Sequence, residues 1–290
     1  MFSLDGYRAL RNDGGVVRRT DRAVLAVTGA DRAAWLQGLV TNDVALLVPG
    51  EARYAAYLTP QGRMITDLNV TARGDRLLLD VPAPLASSLR ERLDGLIFAE
   101  DVQVLDQSAV VEVWTAIAAG EPFGGALSDL IVEHGQSPGL AHPEISLDTF
   151  EVVRIERGIP RFLIDMDHDT IPLEAGIEDR AISFTKGCYV GQEVIVRVTY
   201  RGGGRVARKL VQWRAADSAP ADSIGRGARI FSLDPSTSTG TGRDIGRVTS
   251  AVFSPGREAV VGLGYVHRDF LHTSDATVAW NNSTTPIVIG

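Results

Sequence analysis

The chain has 290 residues, 44% of them hydrophobic and 22% charged, and a formal net charge of −7. That apolar content can fill real cores in two or three domains, and the negative balance speaks against a protein that coats nucleic acid through overall charge; only a local basic patch stays open. One cysteine excludes an intramolecular disulfide, no stretch nears the roughly 18 apolar residues of a membrane span, and Met1 to Leu10 shows no signal-type run, so the cytoplasm is the expected compartment.

In chain order, Ala23 to Val27 reads as a short apolar strand. Asp31 is a candidate N-cap for a helix in which Trp35, Leu36 and Leu39 share a face. Tyr54 to Leu58 and Met64 to Thr71 read as two strands joined by a turn with Pro60 and Gly62, and Arg76 to Val81 as a third. Ala83 to Leu93 is a helix entered through Pro82 and Pro84. Val102 to Leu105 and Val110 to Ile117 are further strands. Gly120 to Pro143, rich in Gly and Pro, reads as a boundary with a short helical piece at Leu127 to His134. Leu147 to Arg157 is a helix stopped by Gly158 and Pro160. Ile159 to Ala181 is a long ordered loop. Gly191 to Tyr200 alternates as a strand.

After Arg205 come six short strands: Lys209 to Arg214, Ala228 to Ser232, Asp244 to Val252, Glu258 to Val266, Asp275 to Trp280 and Thr285 to Ile289. They predict a small β-barrel or sandwich. The low-complexity stretch Asp234 to Gly242 is expected at a hairpin tip.

Four features carry possible chemistry. In Phe184-Thr-Lys-Gly-Cys-Tyr-Val-Gly-Gln-Glu193, Lys186 stands two residues from Cys188, and a nearby ammonium favours the thiolate; the bland alternative is a buried thiol and a solvated lysine. Glu156, before Gly158, offers a carboxylate that could take two side-by-side N–H donors, or simply pair with Arg154 or Arg157. Asp67 sits mid-strand, where propensity disfavours it; it is either a ligand contact or an outward polar residue. Arg197, Arg201, Arg205, Arg208 and Lys209 form one basic cluster, suited to the carboxylates of an acidic ligand, to RNA, or to solvent alone. The histidines His134, His142, His168, His267 and His272 show no metal-ligand spacing, and no metal is assigned.

Lys186-Gly-Cys-Tyr-Val-Gly-Gln-Glu193 resembles the signature of the YgfZ-type folate-binding proteins. Leu36-Gln-Gly and Thr41-Asn-Asp43, with Gly158-Ile-Pro-Arg161 and Ile171-Pro-Leu-Glu-Ala-Gly176, are similar to the same family's wording, from about Gly29 to Val266. The wider superfamily includes the glycine-cleavage T-protein, an aminomethyltransferase. The resemblance implies an α+β, three-lobed architecture: two α+β sheet domains around a folate pocket plus a C-terminal β-barrel. The expected division is 1–49 with 143–205, then 50–142, then 206–290.

The resemblance further implies tetrahydrofolate as cofactor, Glu156 as the pterin reader, and Asp67 facing the pocket. The T-protein has an Asp where this chain has Cys188, while Asp67 resembles that enzyme's acidic position. The candidate catalytic set is Cys188, Lys186 and Asp67. The candidate folate set is Glu156, Arg197, Tyr189, Gln192, Tyr57 and Arg205. The first reading is a monomeric accessory protein for iron–sulfur client enzymes, with a thiolate that handles a one-carbon unit or touches a cluster iron. A folate-dependent aminomethyl- or methyltransferase is the second, and a non-catalytic interaction or tRNA-binding scaffold the third.

Overall fold

In the computed structural model, residues 1–120, 126–216, 219–220, 223–233 and 241–290 are described. The hairpin tip expected at 234–242 lies outside them except for its last two residues, which begin a strand.

Helix α1 (Leu4–Asn12) starts at Ser3, whose hydroxyl accepts from the Gly6 N–H, and buries Tyr7 and Leu10 one turn apart. The first strands are β1 (Gly15–Arg18) and β2 (Arg22–Thr28). Helix α2 (Arg32–Gln37) follows Asp31, but the Asp31 carboxylate accepts from the Asp101 N–H instead of capping its own helix. Then come β3 (Ala52–Leu58), β4 (Met64–Arg73) and β5 (Arg76–Pro82), a short 3-10 turn, and helix α3 (Ala86–Asp94). Strands β6 (Gln103–Asp106), β7 (Val111–Ile117) and β8 (Leu127–Glu133) complete the first half.

Two sheets result. One has the order β3-β4-β5-β2-β6 and the other β1-β7-β8. The first sheet packs one face on Trp35, Leu36, Leu89 and Leu93 from α2 and α3. It also runs across the division expected at 49/50, because β2 hydrogen-bonds between β5 and β6. Residues 127–133 form a strand, not the expected helical piece. Leu127, Leu130 and Ile131 have helical spacing, but β7 offers a complete antiparallel ladder from Val111↔Glu133 to Ile117↔Leu127.

Helix α4 (Leu147–Glu156) is capped by Ser146, which accepts from the Thr149 N–H, and ends before Gly158 at φ +69°. The stretch expected as one long loop contains the single-turn helices α5 (Pro172–Ala175) and α6 (Glu178–Ala181). The strand expected at 191–200 is helix α7 (Gln192–Val196), which runs on as a π-turn through Arg201. Val194, Val196 and Val198 fit the strand period, and Val194, Ile195 and Val198 the helical one. Helix wins because Ile195 and Val198 then face the cluster around Phe162, Met166 and Tyr189.

The six C-terminal strands are β9 (Arg208–Ala215), β10 (Arg229–Leu233), β11 (Thr241–Ser254), β12 (Ala259–His267), β13 (Asp275–Trp280) and β14 (Ser283–Ile289). They close in the order β10-β11-β12-β9-β14-β13. Ile230, Val248, Val260, Val266 and Val278 fill the interior.

Candidate functional site

Strand alternation builds a polar cavity where the two sheets meet α4. On β4, Leu68 and Val70 enter the core, so Asp67 and Asn69 face the other way. Register sets Tyr54 opposite Asn69 and Asn69 opposite Asp80. The cavity these residues line measures about 210 Å³ and is also lined by Arg19, Arg22, Phe150, Arg161 and Arg180, among others.

Its charges are tied to one another. Arg22 donates through Nε to Asp80 Oδ1 at 2.6 Å, through Nη2 to the Asp80 carbonyl at 2.8 Å, and through Nη1 to Asp67 Oδ1 at 3.2 Å. Burial opposes the Arg22 charge, but Asp80 and Asp67 outweigh it and hold the guanidinium more firmly protonated than usual. Burial also pushes Asp80 up, against the pull of Arg22. The Tyr54 hydroxyl donates to Asp67 Oδ2 at 3.0 Å, and burial, then Asp67, raise its pKa well above the usual phenol.

At the mouth, Asp129 accepts from Thr115 at 2.6 Å and from Asn69 at 3.0 Å. Arg19 grips Asp21 with two 2.9 Å bonds and lies 4.7 Å over the Phe150 ring. Arg180 lies 4.4 Å over Tyr54 and is exposed, with no ion pair among the described residues. The cavity thus presents carboxylate acceptors, an apolar wall at Phe150 and Leu127, and a cationic rim.

Of the nine residues singled out in the sequence, Asp67 alone lines this cavity. Glu156 is buried at the end of α4, where Oε1 accepts from Tyr7 at 2.7 Å and from the Ser254 hydroxyl. Its Oε2 has no hydrogen-bond partner among the described residues, and burial raises the Glu156 pKa. Tyr57 and Tyr189 are core residues. Gln192 opens α7, half-buried, and Arg197 and Arg205 are exposed.

Cys188 is exposed. Lys186 is buried and turns away to the loop after α2. Its Nζ donates to the carbonyls of Gln37 and Val40 at 2.7 Å and of Asn42 at 2.9 Å. An ammonium has three N–H donors, and all three are committed there, so none is left to donate to the Cys188 thiol. Burial lowers the Lys186 pKa to about 8, with Asp43 acting the other way. Gly191, at φ +85°, closes the loop. A Cβ there would lie 2.6 Å from the Thr59 carbonyl in the β3–β4 turn.

Sequence reasoning missed Arg22, Tyr54, Asp80, Arg161 and Arg180. Asp80 carried a signal, since it interrupts the apolar run Leu77-Leu-Leu-Asp-Val81 as Asp67 interrupts β4. Arg22 carried none, because its role requires the β2–β5 register.

No family model matches the chain. It is 29% identical over 201 residues to an uncharacterized protein of Haemophilus influenzae, covering 65% of this chain and 70% of that one. It is 26% identical over 241 residues to the tRNA-modifying protein YgfZ of Yersinia enterocolitica, covering 71% and 72%. It is 27% identical over 237 residues to the mitochondrial iron–sulfur cluster assembly factor IBA57 homolog of Mycosarcoma maydis, covering 70% of this chain but 58% of that protein. The crystal structure of the glycine cleavage system aminomethyltransferase T from Bartonella henselae superposes with a TM-score of 0.80 at 18% identity, over 99% of this chain and 87% of that one.

Proposed function

We propose, from its likeness to relatives named YgfZ and IBA57 and from its aminomethyltransferase-like fold, that the chain is a YgfZ-type protein that holds the pterin of a tetrahydrofolate in the Asp67 cavity and assists the maturation or repair of iron–sulfur enzymes. The observation that carries this reading is the placement of Asp67, Tyr54 and Arg22 around one polar cavity. The iron–sulfur role rests on the names of its relatives.

The donor set suits a pterin. Asp67 and Asp129 supply acceptors for its paired N–H edge, and Phe150 and Leu127 supply an apolar wall. At about 210 Å³ the space is below the roughly 300–1,000 Å³ of a site that encloses a whole drug-sized ligand. It suits the bicyclic head, with the benzoyl-glutamate leaving past Arg161 and Arg180. Bound tetrahydrofolate brings a one-carbon carrier. The chain's part is to orient it: Arg22 fixes Asp67, and Tyr54 caps the second Asp67 oxygen. Cys188, exposed on its loop, is the group a client protein or cluster can reach.

Calorimetry with tetrahydrofolate tests the cavity. Micromolar binding, about −8 kcal/mol, should fall at least tenfold in Asp67→Asn and persist in Glu156→Gln. Loss in Glu156→Gln with retention in Asp67→Asn would move the ligand to the α1–α4–barrel junction, and no binding to wild type would sink the folate reading. The iron–sulfur arm is checked by client-enzyme activity in cells carrying Cys188→Ala; unchanged activity contradicts it.

A second reading, aminomethyl or methyl transfer, is favoured by Asp67 lying in the cavity of this fold. Turnover with a lipoyl-bound aminomethyl donor, abolished in Asp67→Asn, would put it first.

A further inference from the structure

A second cavity, of about 440 Å³, opens on the outside of the barrel. Alternation along the strands puts Ile230, Val248 and Val266 inside and their neighbours out. Register then aligns Arg229 with Arg247, Arg247 with Tyr265, and Arg208 with His267. Arg243 adds a fourth guanidinium to the same wall, which holds one carboxylate, Asp244.

Arg229 pairs with Asp244, and Arg208 pairs with Glu174 at 3.3 Å, outside the wall. Arg243 and Arg247 are exposed and form no ion pair among the described residues. Two aromatic faces back these cations. Arg208 lies 4.6 Å over the Tyr265 ring, and Arg243 5.8 Å over the Phe270 ring. Such a face concentrates positive charge on a chain whose net charge is −7, so the surrounding field orients a polyanion toward it.

More arginines stand just upstream in the chain. Arg197, Arg201 and Arg205 are exposed and without an ion pair among the described residues. Arg205 lies three residues before Arg208, at most about 11 Å of extended chain. A small anion needs only one or two of these groups, whereas a strand of phosphates engages a track of them.

We propose that this barrel cleft, with the Arg197–Arg205 segment leading into it, binds the phosphodiester backbone of a nucleic-acid strand. The arginines meet phosphates through charge-assisted hydrogen bonds. The site reads no sequence; it positions a strand. It is separate from the Asp67 cavity and independent of the folate reading.

The test is fluorescence anisotropy of the full chain with a labelled 20-nucleotide single-stranded RNA across 50–200 mM salt. Wild type should bind saturably, with a log–log salt slope of about −3 for four phosphate contacts. The double variant R243E/R247E should bind at least tenfold more weakly. R76E/R90E, which changes the charge equally on the other half of the molecule, should bind as wild type. R243A, which introduces no new charge, should weaken binding about threefold and reduce the slope by about 1. Absence of saturable wild-type binding at 50 mM salt overturns the proposal. So does equal weakening in the two double variants, or displacement of the RNA by polyglutamate of the same charge, since carboxylates alone would then suffice.

Discussion

The Asp67 cavity and the surface from Phe184 to Arg205 are built on opposite terms. In the cavity, Arg22 is 8% exposed and makes three bonds to Asp67 and Asp80. Along the surface, Phe184 is 42% and Tyr200 67% exposed, edge to face with ring centres 6.5 Å apart, among arginines with no partner acid among the described residues. Buried charges survive only when matched, because each unmatched one keeps its full desolvation cost. Exposed arginines bear no such cost and stay available. The cavity is therefore set before a ligand arrives, while the surface gains its contacts only from a partner.

That contrast predicts a steep gradient of mutational sensitivity. The largest effect belongs to Arg22→Met, which leaves Asp67 and Asp80 buried without their cation and should cost about 3–5 kcal/mol in urea unfolding. A loss below 1 kcal/mol would mean that the cavity is wetter than its geometry implies. Next is Lys186→Met, which removes the donor of three carbonyls and should cost about 1–3 kcal/mol by the same measurement, although it lies within the surface loop. At the small end, Arg201→Ala should shift stability by no more than about 0.5 kcal/mol.

Glu156 sharpens the contrast through pH. Its folded pKa is raised by burial, so the carboxyl keeps its proton in the folded chain after the unfolded chain has released it. Its contribution is fully present below about pH 4.5 and is lost as pH climbs through the folded value. The carboxyls of Asp21 and Glu151 are held low by Arg19 and Arg154 respectively, against burial; they act oppositely, losing stability as pH falls below their unfolded values. Unfolding of Glu156→Gln between pH 4.5 and 8 should accordingly decline less with rising pH than that of wild type. Parallel curves would show that the unpartnered Oε2 is solvated.

The barrel was legible because each of its strands is short, alternates, and is bounded by turn residues. All six lie within a few residues of expectation, and the closed order follows from their pairing. Strand β8 and helix α7 were not legible, since Leu127, Leu130 and Ile131 have helical spacing in what is a strand, while Val194, Val196 and Val198 alternate in what is a helix, and only tertiary packing chooses. Propensity drew attention to Asp67 but left a ligand contact and an outward polar residue equally open. The direction of Lys186 could not be read locally: its acceptors at Gln37 to Asn42 lie more than 140 positions away in the chain, and local spacing pointed to the thiol instead.

Gly191 fixes where the sulfur stands. A Cβ there would meet the Thr59 carbonyl, so only a glycine lets the loop lie this close against the β3–β4 turn, whose outgoing strand bears Asp67. Three peptide links run from that contact to Cys188, at most about 11 Å of extended chain. A partner that engages the exposed thiol therefore meets the same hairpin.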